Sequence, residues 1–478
     1  MKKIPTRRFS RPLLGCASAL VLLAGCGGGG SLNAEGTAAA QADTTAGAVG
    51  VDTVQAAASG AAQAPGKANT PQKTSPAPAP APSPTSAPAP SPTSSPAPAP
   101  SPTPAPATAT LSVGPGKPYA TPCQALAVAP DGAAIEIDAS VTYSGDVCAF
   151  YANNLQIRGI NGRAKIDAAG RNANGKGTWV VGGSGTLIEN VEMFGAKVPD
   201  ENGAAIRLDG KHLTLRNSFL HDNENGILTN NDGVSNIVIE YSEFGHNGFG
   251  DGYSHNLYIG NVNSLVFRYN SSHDANVGHN LKSRAKTNTI AYNRFSSTPP
   301  GQTGSTASGQ PSYEIDLPNG GTSYVIGNVI QQPALNQNPY LLSYAEEGAV
   351  NPGTDLYVVN NTFLNDAAGG TFIVIGGGVS TPALIQNNVF AGPGTVTSQA
   401  GATLRTNYQA SAPAFVNRQA FDLQPAAGAP FIDAGSQPGI AATGVSLVPM
   451  NEYVDVARTR TRTVAGGIDI GAYEAAVN

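Results

Sequence analysis

From residue 109 onward, short runs of alternating apolar and polar residues return again and again. One phrase occurs as LRNSFL (215–220), IEYSEF (239–244), FRYNSS (267–272) and IAYNRF (290–295), then as VIGNVI (325–330), VVNNTF (358–363) and IQNNVF (385–390). Weaker copies are IRGING (157–162) and IENVEM (188–193). The polar register residue is Ser218, Ser242, Asn270, Asn293, Asn328, Asn361 and Asn388 in turn, at intervals of 24, 28, 23, 35, 33 and 27. Strand-like repeats of about 20–50 residues describe a solenoid. Regular leucines and a helical half are missing, so a leucine-rich repeat does not fit. A parallel β-helix does, with stacked asparagines bonding from coil to coil.

A second strand lies between successive copies. Aligned, these strands read AAIRLD (204–209), NGILTN (225–230), HNLYIG (255–260), HNLKSR (279–284), YEIDLP (313–318), YLLSYA (340–345) and TFIVIG (371–376). Their third positions, from Ile206 to Ile373, are all aliphatic and are expected inside. Strict alternation then sends the second and fourth positions outward.

The flanks read differently. YATPCQALAVAP predicts a short amphipathic helix with Pro122 near its start, placed to cap the first coil. At the far end AGGIDIGAYEAAVN reads as a closing strand. Residues 1–25 carry a basic start and a short apolar run, an export signal too short for a convincing transmembrane helix. The signal ends in LAGC, which resembles a bacterial lipobox, so Cys26 is expected to carry lipid. By that resemblance the protein belongs on the outer membrane or cell surface, anchored by lipid alone. Residues 26–108 are Ala-, Pro- and Ser-rich and read as a disordered, extended tether. Cys16 leaves with the signal. Cys123 and Cys148 remain as a pair in an oxidising compartment and are expected to form a disulfide.

With 27 Lys+Arg against 32 Asp+Glu, the chain has no basic stripe for nucleic acid. Charge is sparse, which makes GHNLKSRAK (278–286) conspicuous. The fourth-position column runs Arg207, Leu228, Tyr258, Lys282, Asp316, Ser343, and the second Ala205, Gly226, Asn256, Asn280, Glu314, Leu341. At about 4.8 Å between coils, Tyr258, Lys282, Arg284, Glu314 and Asp316 form one small outward patch. His255 and His279 enter neighbouring strands, one coil apart; their parity is inward, though a residue beside a turn can be rotated to the rim. Arg207, Asn256 and Asn280 are candidate substrate-binding groups. Asp222, Glu224 and Asp251 read as solenoid turns, His221 and His246 as surface histidines, and no zinc-ligand spacing is present.

The coil pattern, export signal and cationic patch resemble the pectate-lyase-like superfamily. Within it, the stretch from GPGKPYATP to IQNNVF, with the terminal DIGAYE, is similar to bacterial right-handed β-helix repeat proteins. The resemblance implies an all-β, single-stranded right-handed parallel β-helix over residues 109–478, and a substrate lying along the outer face of one sheet. The expected function is a lyase that cleaves a uronic-acid-containing polysaccharide by β-elimination. Arg284 would hold the substrate carboxylate, Lys282 would take the C5 proton, and Tyr258 or His279 would protonate the leaving oxygen, with His255 alongside. Glu314 and Asp316 could ligate Ca²⁺. The same two carboxylates keep a glycoside hydrolase open as an alternative, and a non-catalytic glycan binder or adhesin is a third. The expected partners are an acidic polysaccharide and the membrane, with the chain a monomer.

Overall fold

The computed structural model describes residues 107–297 and 311–476. The export signal, Cys26 and nearly all of the tether lie outside the described residues. Three parallel sheets run the length of the domain. Sheet 1 has twelve strands, from Thr110–Val113 to Thr403–Arg405. Sheet 2 has eleven, from Thr142–Ser144 to Tyr408–Ala410, and sheet 3 has ten, from Cys148–Phe150 to Thr395–Thr397. Each complete coil contributes one strand to each sheet in turn. This is the right-handed parallel β-helix.

Alternation along the strands fills the bore. The third positions of sheet 3, Ile206, Ile227, Leu257, Leu281, Ile315, Leu342 and Ile373, are all fully buried. They stack on their own kind from coil to coil, as in Ile206–Ile227–Leu257 and Ile315–Leu342–Ile373. Phe267 of sheet 1 packs between Phe244 and Phe295 of sheet 2, with ring centres 6.1 and 5.8 Å away. Every fully buried aliphatic or aromatic side chain is worth roughly 1.5–3 kcal/mol of transfer free energy. The core therefore grows linearly with coil number, as a solenoid requires.

The corner between sheets 1 and 2 is a two-residue device. Its first residue is left-handed, as at Tyr269 (φ 62°), Tyr292 (φ 58°) and Asn360 (φ 52°). The next is the asparagine of the repeated phrase, turned inward. Asn328 shows the pattern. Its Oδ1 accepts from the Asn293 backbone and side-chain amides at 2.9 Å each, and its Nδ2 donates to Ile290 O (2.8 Å) and to Asn361 Oδ1 (3.0 Å). Asn270, Asn293, Asn361 and Asn388 repeat these bonds, and Ser218 and Ser242 begin the row with hydroxyls. Buried corner amides thus find partners without water.

The first coil is capped by the helix Pro122–Leu126, whose Ala125 and Leu126 are buried. Cys123 on this helix is bridged to Cys148, tying the cap to the first strand of sheet 3. The C-terminal segment differs from expectation, since residues 464–476 form no strand. The segment instead folds back along the coils. Asn360 Nδ2 donates to Asp469 O, Thr362 Oγ1 accepts from the Ala472 amide, and buried Arg462 pairs with Glu474 at 2.6 Å. Its apolar residues Ile468, Ile470 and Ala472 cover existing strands, so it needs no ladder of its own.

Replacing Asn328 with Ala would strand two donors of Asn293 and leave Ile290 O unpaired inside the bore. With each orphaned buried group costing about 1–3 kcal/mol, we expect a loss of roughly 2–4 kcal/mol, read from the denaturant midpoint. Unchanged stability would show that the ladder is dispensable.

Candidate active site

Sheet 3 carries the cationic stretch. Its pairing puts Arg207, Leu228, Tyr258, Lys282, Asp316 and Ser343 in one column on successive coils. This column faces outward, between interior neighbours such as Leu281 and Ser283. Lys282 Nζ lies 3.4 Å from Asp316 Oδ2 and 5.7 Å from the centre of the Tyr258 ring.

The second-position column faces the other way. Asn256, Asn280 and Glu314 are fully buried, as are Ala205 and Leu341. They belong to a second polar row at the corner between sheets 2 and 3, which runs Asn223, Asn247, Asn256, Asn280, Glu314. Asn247 Nδ2 donates to Asn256 Oδ1 at 3.0 Å, Asn256 Nδ2 to Asn280 Oδ1 at 2.9 Å, and Asn280 Nδ2 to Glu314 Oε2. The expectation that Asn256 and Asn280 bind substrate is therefore corrected: both are consumed in satisfying buried corner groups. The Glu314–Asp316 calcium pair is corrected too, because the two carboxylates occupy opposite sides of the sheet and cannot share an ion. Burial pushes the Glu314 carboxyl up to about 8, with the charge of Asp274 adding to it and the Asn280 bond opposing. Glu314 is thus a neutral acid inside the bore.

Because the corner breaks strict alternation, His255 and His279 turn out to meet the outward column. The His255 ring stands edge-on to Tyr258 at 5.6 Å, and the two imidazoles lie 4.4 Å apart. His255 Nδ1 accepts from the His279 backbone amide at 3.0 Å, so a neutral ring carries its proton on Nε2. Burial and the neighbouring His279, Lys282 and Arg284 hold this imidazole well below its ordinary value. His279 Nδ1 sits 3.3 Å from Asp316 Oδ2, an ion-pair distance without the alignment of a full hydrogen bond. Burial pushes the Asp316 carboxyl up, but His279, Lys282 and Ser343 outweigh it and keep the group below the ordinary carboxylate range.

Arg284 is held on three sides. Its Nε donates to the Tyr258 hydroxyl oxygen (2.8 Å), Nη1 to Asn319 Oδ1 (2.6 Å) and Nη2 to Glu347 Oε2 (2.6 Å). The other oxygen of Glu347 accepts from Lys282 Nζ at 3.0 Å. One carboxylate therefore bridges both cations. Burial raises the Glu347 carboxyl, yet Arg284 and Lys282 hold it below its usual value. Its side chain remains 47% exposed, on the turn after the strand Tyr340–Tyr344. Tyr313 packs edge-on to His279 at 5.0 Å and stacks with Tyr340 at 6.4 Å, adding aromatic surface beside the cations.

Arg207 lies two coils away, paired with Asp209 at 3.0 Å, and does not join the group. Glu224 is a structural turn residue whose Oε2 accepts from the Val198 and Gly203 amides. Asp251 accepts from the Tyr253 amide within its own turn. The sequence reading missed Glu347, Asn319, Tyr313 and Tyr340. Glu347 and Asn319 lie on turns, outside any strand column, and only the acidic pair in SYAEEG marks the place.

No family model matches the chain, and no curated protein is similar to it. Among solved structures it resembles pectate lyase Pel9A, with a TM-score of 0.52 and 15% identity over 77% of this chain and 97% of that one. An alginate lyase from Paenibacillus sp. str. FPU-7 matches at a TM-score of 0.37 and 16% identity, over 63% of this chain and 99% of that one. The first likeness shows the fold, a parallel β-helix.

Glu314 generates a pH signature. Its carboxyl, at about 8 when folded against 4.5 ordinarily, binds its proton more tightly in the native state. Its contribution to stability is full below about pH 4.5 and is lost as pH rises through about 8. Glu314→Gln should leave the melting temperature nearly unchanged at pH 4 and raise it above wild type at pH 8. Parallel melting curves for the two proteins at all pH values would contradict the assignment.

Proposed function

We propose that this β-helix is a polysaccharide lyase acting on a uronic-acid-containing chain, with the outer face of sheet 3 around Lys282 and Arg284 as its active site. The observation that carries the reading is the Glu347 carboxylate, which bridges Lys282 and Arg284 and so displays how the two cations grip a carboxylate. A substrate uronate would displace this half-exposed side chain and take its place. The two cations then neutralise the C6 carboxylate, which makes the C5 proton acidic. β-Elimination needs that proton removed, and the bond from C4 to the leaving oxygen broken as the C4–C5 double bond forms. His279, with Nδ1 turned to Asp316, has Nε2 left to act as the base. Tyr258 accepts from Arg284 through its oxygen, so its own proton is left to donate to the leaving group. Lys282 moves from base, as read from the sequence, to carboxylate holder. A two-carboxylate hydrolase loses support, because Glu314 is inside the bore.

The purified protein, offered a panel of acidic polysaccharides with and without chelator, should release an unsaturated product absorbing in the ultraviolet. His279→Ala should cost about 10²- to 10⁴-fold in rate, as for a general acid–base group. Lys282→Ala and Arg284→Ala should lose most activity with the fold intact, whereas Glu347→Ala should lower KM by removing a competitor for the cations. Wild-type rates in both cation variants would remove this patch from the chemistry. New reducing ends without absorbance would indicate a hydrolase, and retention without cleavage a binder.

We further propose that the protein is held to the outer membrane or cell surface by lipid on Cys26, with the Pro-rich stretch as spacer. The sequence LAGC supports this. Cys26→Ser should move the protein from the membrane fraction to the soluble one, and unchanged membrane association would end the proposal.

A further inference from the structure

A second cluster of titratable groups lies on sheet 2, outside the group around Lys282. The strands Phe219–His221, Glu243–Gly245 and Ser271–His273 pair in register, so that His221, Gly245 and His273 occupy one row. Each strand is followed by a left-handed corner residue: Asp222 (φ 53°), His246 (φ 55°) and Asp274 (φ 52°). The next residues lock these corners from inside. Asn223 and Asn247 belong to the buried polar row, and the Ala275 amide donates to Asn280 Oδ1 at 3.3 Å. Side chains from two neighbouring coils are thereby brought together on a fixed backbone.

The result is a compact set of nitrogen and oxygen donors. The rings of His246 and His273 meet edge to face at 5.3 Å. Asp274 Oδ2 lies 2.9 Å from His273 Nδ1 and 3.5 Å from His246 Nε2, and one donor atom from each of the three residues falls within 4.8 Å of the others. Donor atoms around a tetrahedral ion at about 2.0–2.1 Å stand roughly 3.3–3.4 Å apart, so small side-chain rotations suffice to close on one. The remaining nitrogen of His273, Nε2, is 3.2 Å from Glu243 Oε1. A carboxylate holding the far nitrogen of a ligating imidazole is the usual outer support of a metal-bound histidine.

We propose that His246, His273 and Asp274 bind a zinc ion, with Glu243 orienting the His273 ring. Two imidazoles and one carboxylate suit zinc and disfavour the oxygen-seeking calcium and magnesium. Three protein donors leave a fourth position for water or a substrate oxygen. The side chains are 19%, 18% and 7% exposed, so the ion can enter from solvent. The histidines are 27 residues apart in the sequence, and only coil stacking makes them neighbours.

The test uses the full chain purified without a polyhistidine tag, stripped with chelator and titrated with zinc against a chromophoric competitor. One zinc per chain is expected. His246→Ala and His273→Ala should each lose at least a hundredfold in affinity, and Glu243→Gln about 10- to 100-fold, with the metal-free proteins melting as wild type does. Calcium and magnesium should neither compete nor raise the melting temperature through this site. If an alanine variant fails to fold, cobalt(II) added to the wild-type protein should still give the intense visible absorption of a four-coordinate site. No zinc uptake by the wild type, or the same affinity in the His246→Ala/His273→Ala double variant, overturns the proposal. So does a purely six-coordinate cobalt spectrum.

Discussion

The whole domain depends on satisfying backbone amides at corners that water does not reach. A solenoid of three sheets must turn its chain three times per coil, and every turn lifts peptide groups out of the ladders. At the corner between sheets 1 and 2 the answer, from Asn270 to Asn388, is an asparagine on each coil, which accepts from the coil before, donates back to a strand carbonyl, and passes a bond to the coil after. Such a bond contributes only about 1 kcal/mol net, whereas leaving its partners unpaired costs more. The row therefore acts as a register lock. It allows one stacking of coils and penalises any slip, because a slip would set an apolar residue against a buried amide.

The same constraint, at the next corner, creates the candidate active site. Asn256, Asn280 and Glu314 turn inward to serve the corner, and this breaks the alternation that would have hidden the preceding histidines. His255 and His279 are then delivered to the outer side, beside Tyr258, Lys282 and Asp316. A polar row built for stability thus sets the positions of groups suited to proton transfer. The Asp222, His246 and Asp274 column arises in the same way, as the outward residue of a corner whose inward residue is fixed.

Charge is used sparingly and in pairs. Arg216 and Arg268 flank the nearly buried carboxylate of Glu240 on sheet 1, and Arg462 meets Glu474 under the C-terminal segment. Breaking one partner of such a pair leaves the other uncompensated, which is costly where water is excluded. The Lys282–Arg284–Glu347 group differs in one respect. Its acidic member is half exposed and sits on a turn, so an incoming carboxylate can replace it without leaving a charge buried and alone.

The sequence alone determined the coil repeat between Ile157 and Phe390, the inward aliphatic column from Ile206 to Ile373, the asparagine row from Asn270 to Asn388, the capping helix at Pro122 and the pairing of Cys123 with Cys148. All of these follow from periodicity or from local chemistry, which a linear string records. Tyr258, Lys282 and Asp316 were placed in one outward column for the same reason, since parity holds in mid-strand. Parity failed where strands begin. Nothing in HNLYIG or HNLKSR announces that the asparagine, and not the histidine, turns inward, because that choice is made by amides contributed from the adjacent coil. Glu347 lies on a turn, and His246, His273 and Asp274 sit at strand ends and corners, with partners a coil or more away in sequence. Only the stacking of coils, about 4.8 Å apart, converts those separations into contact.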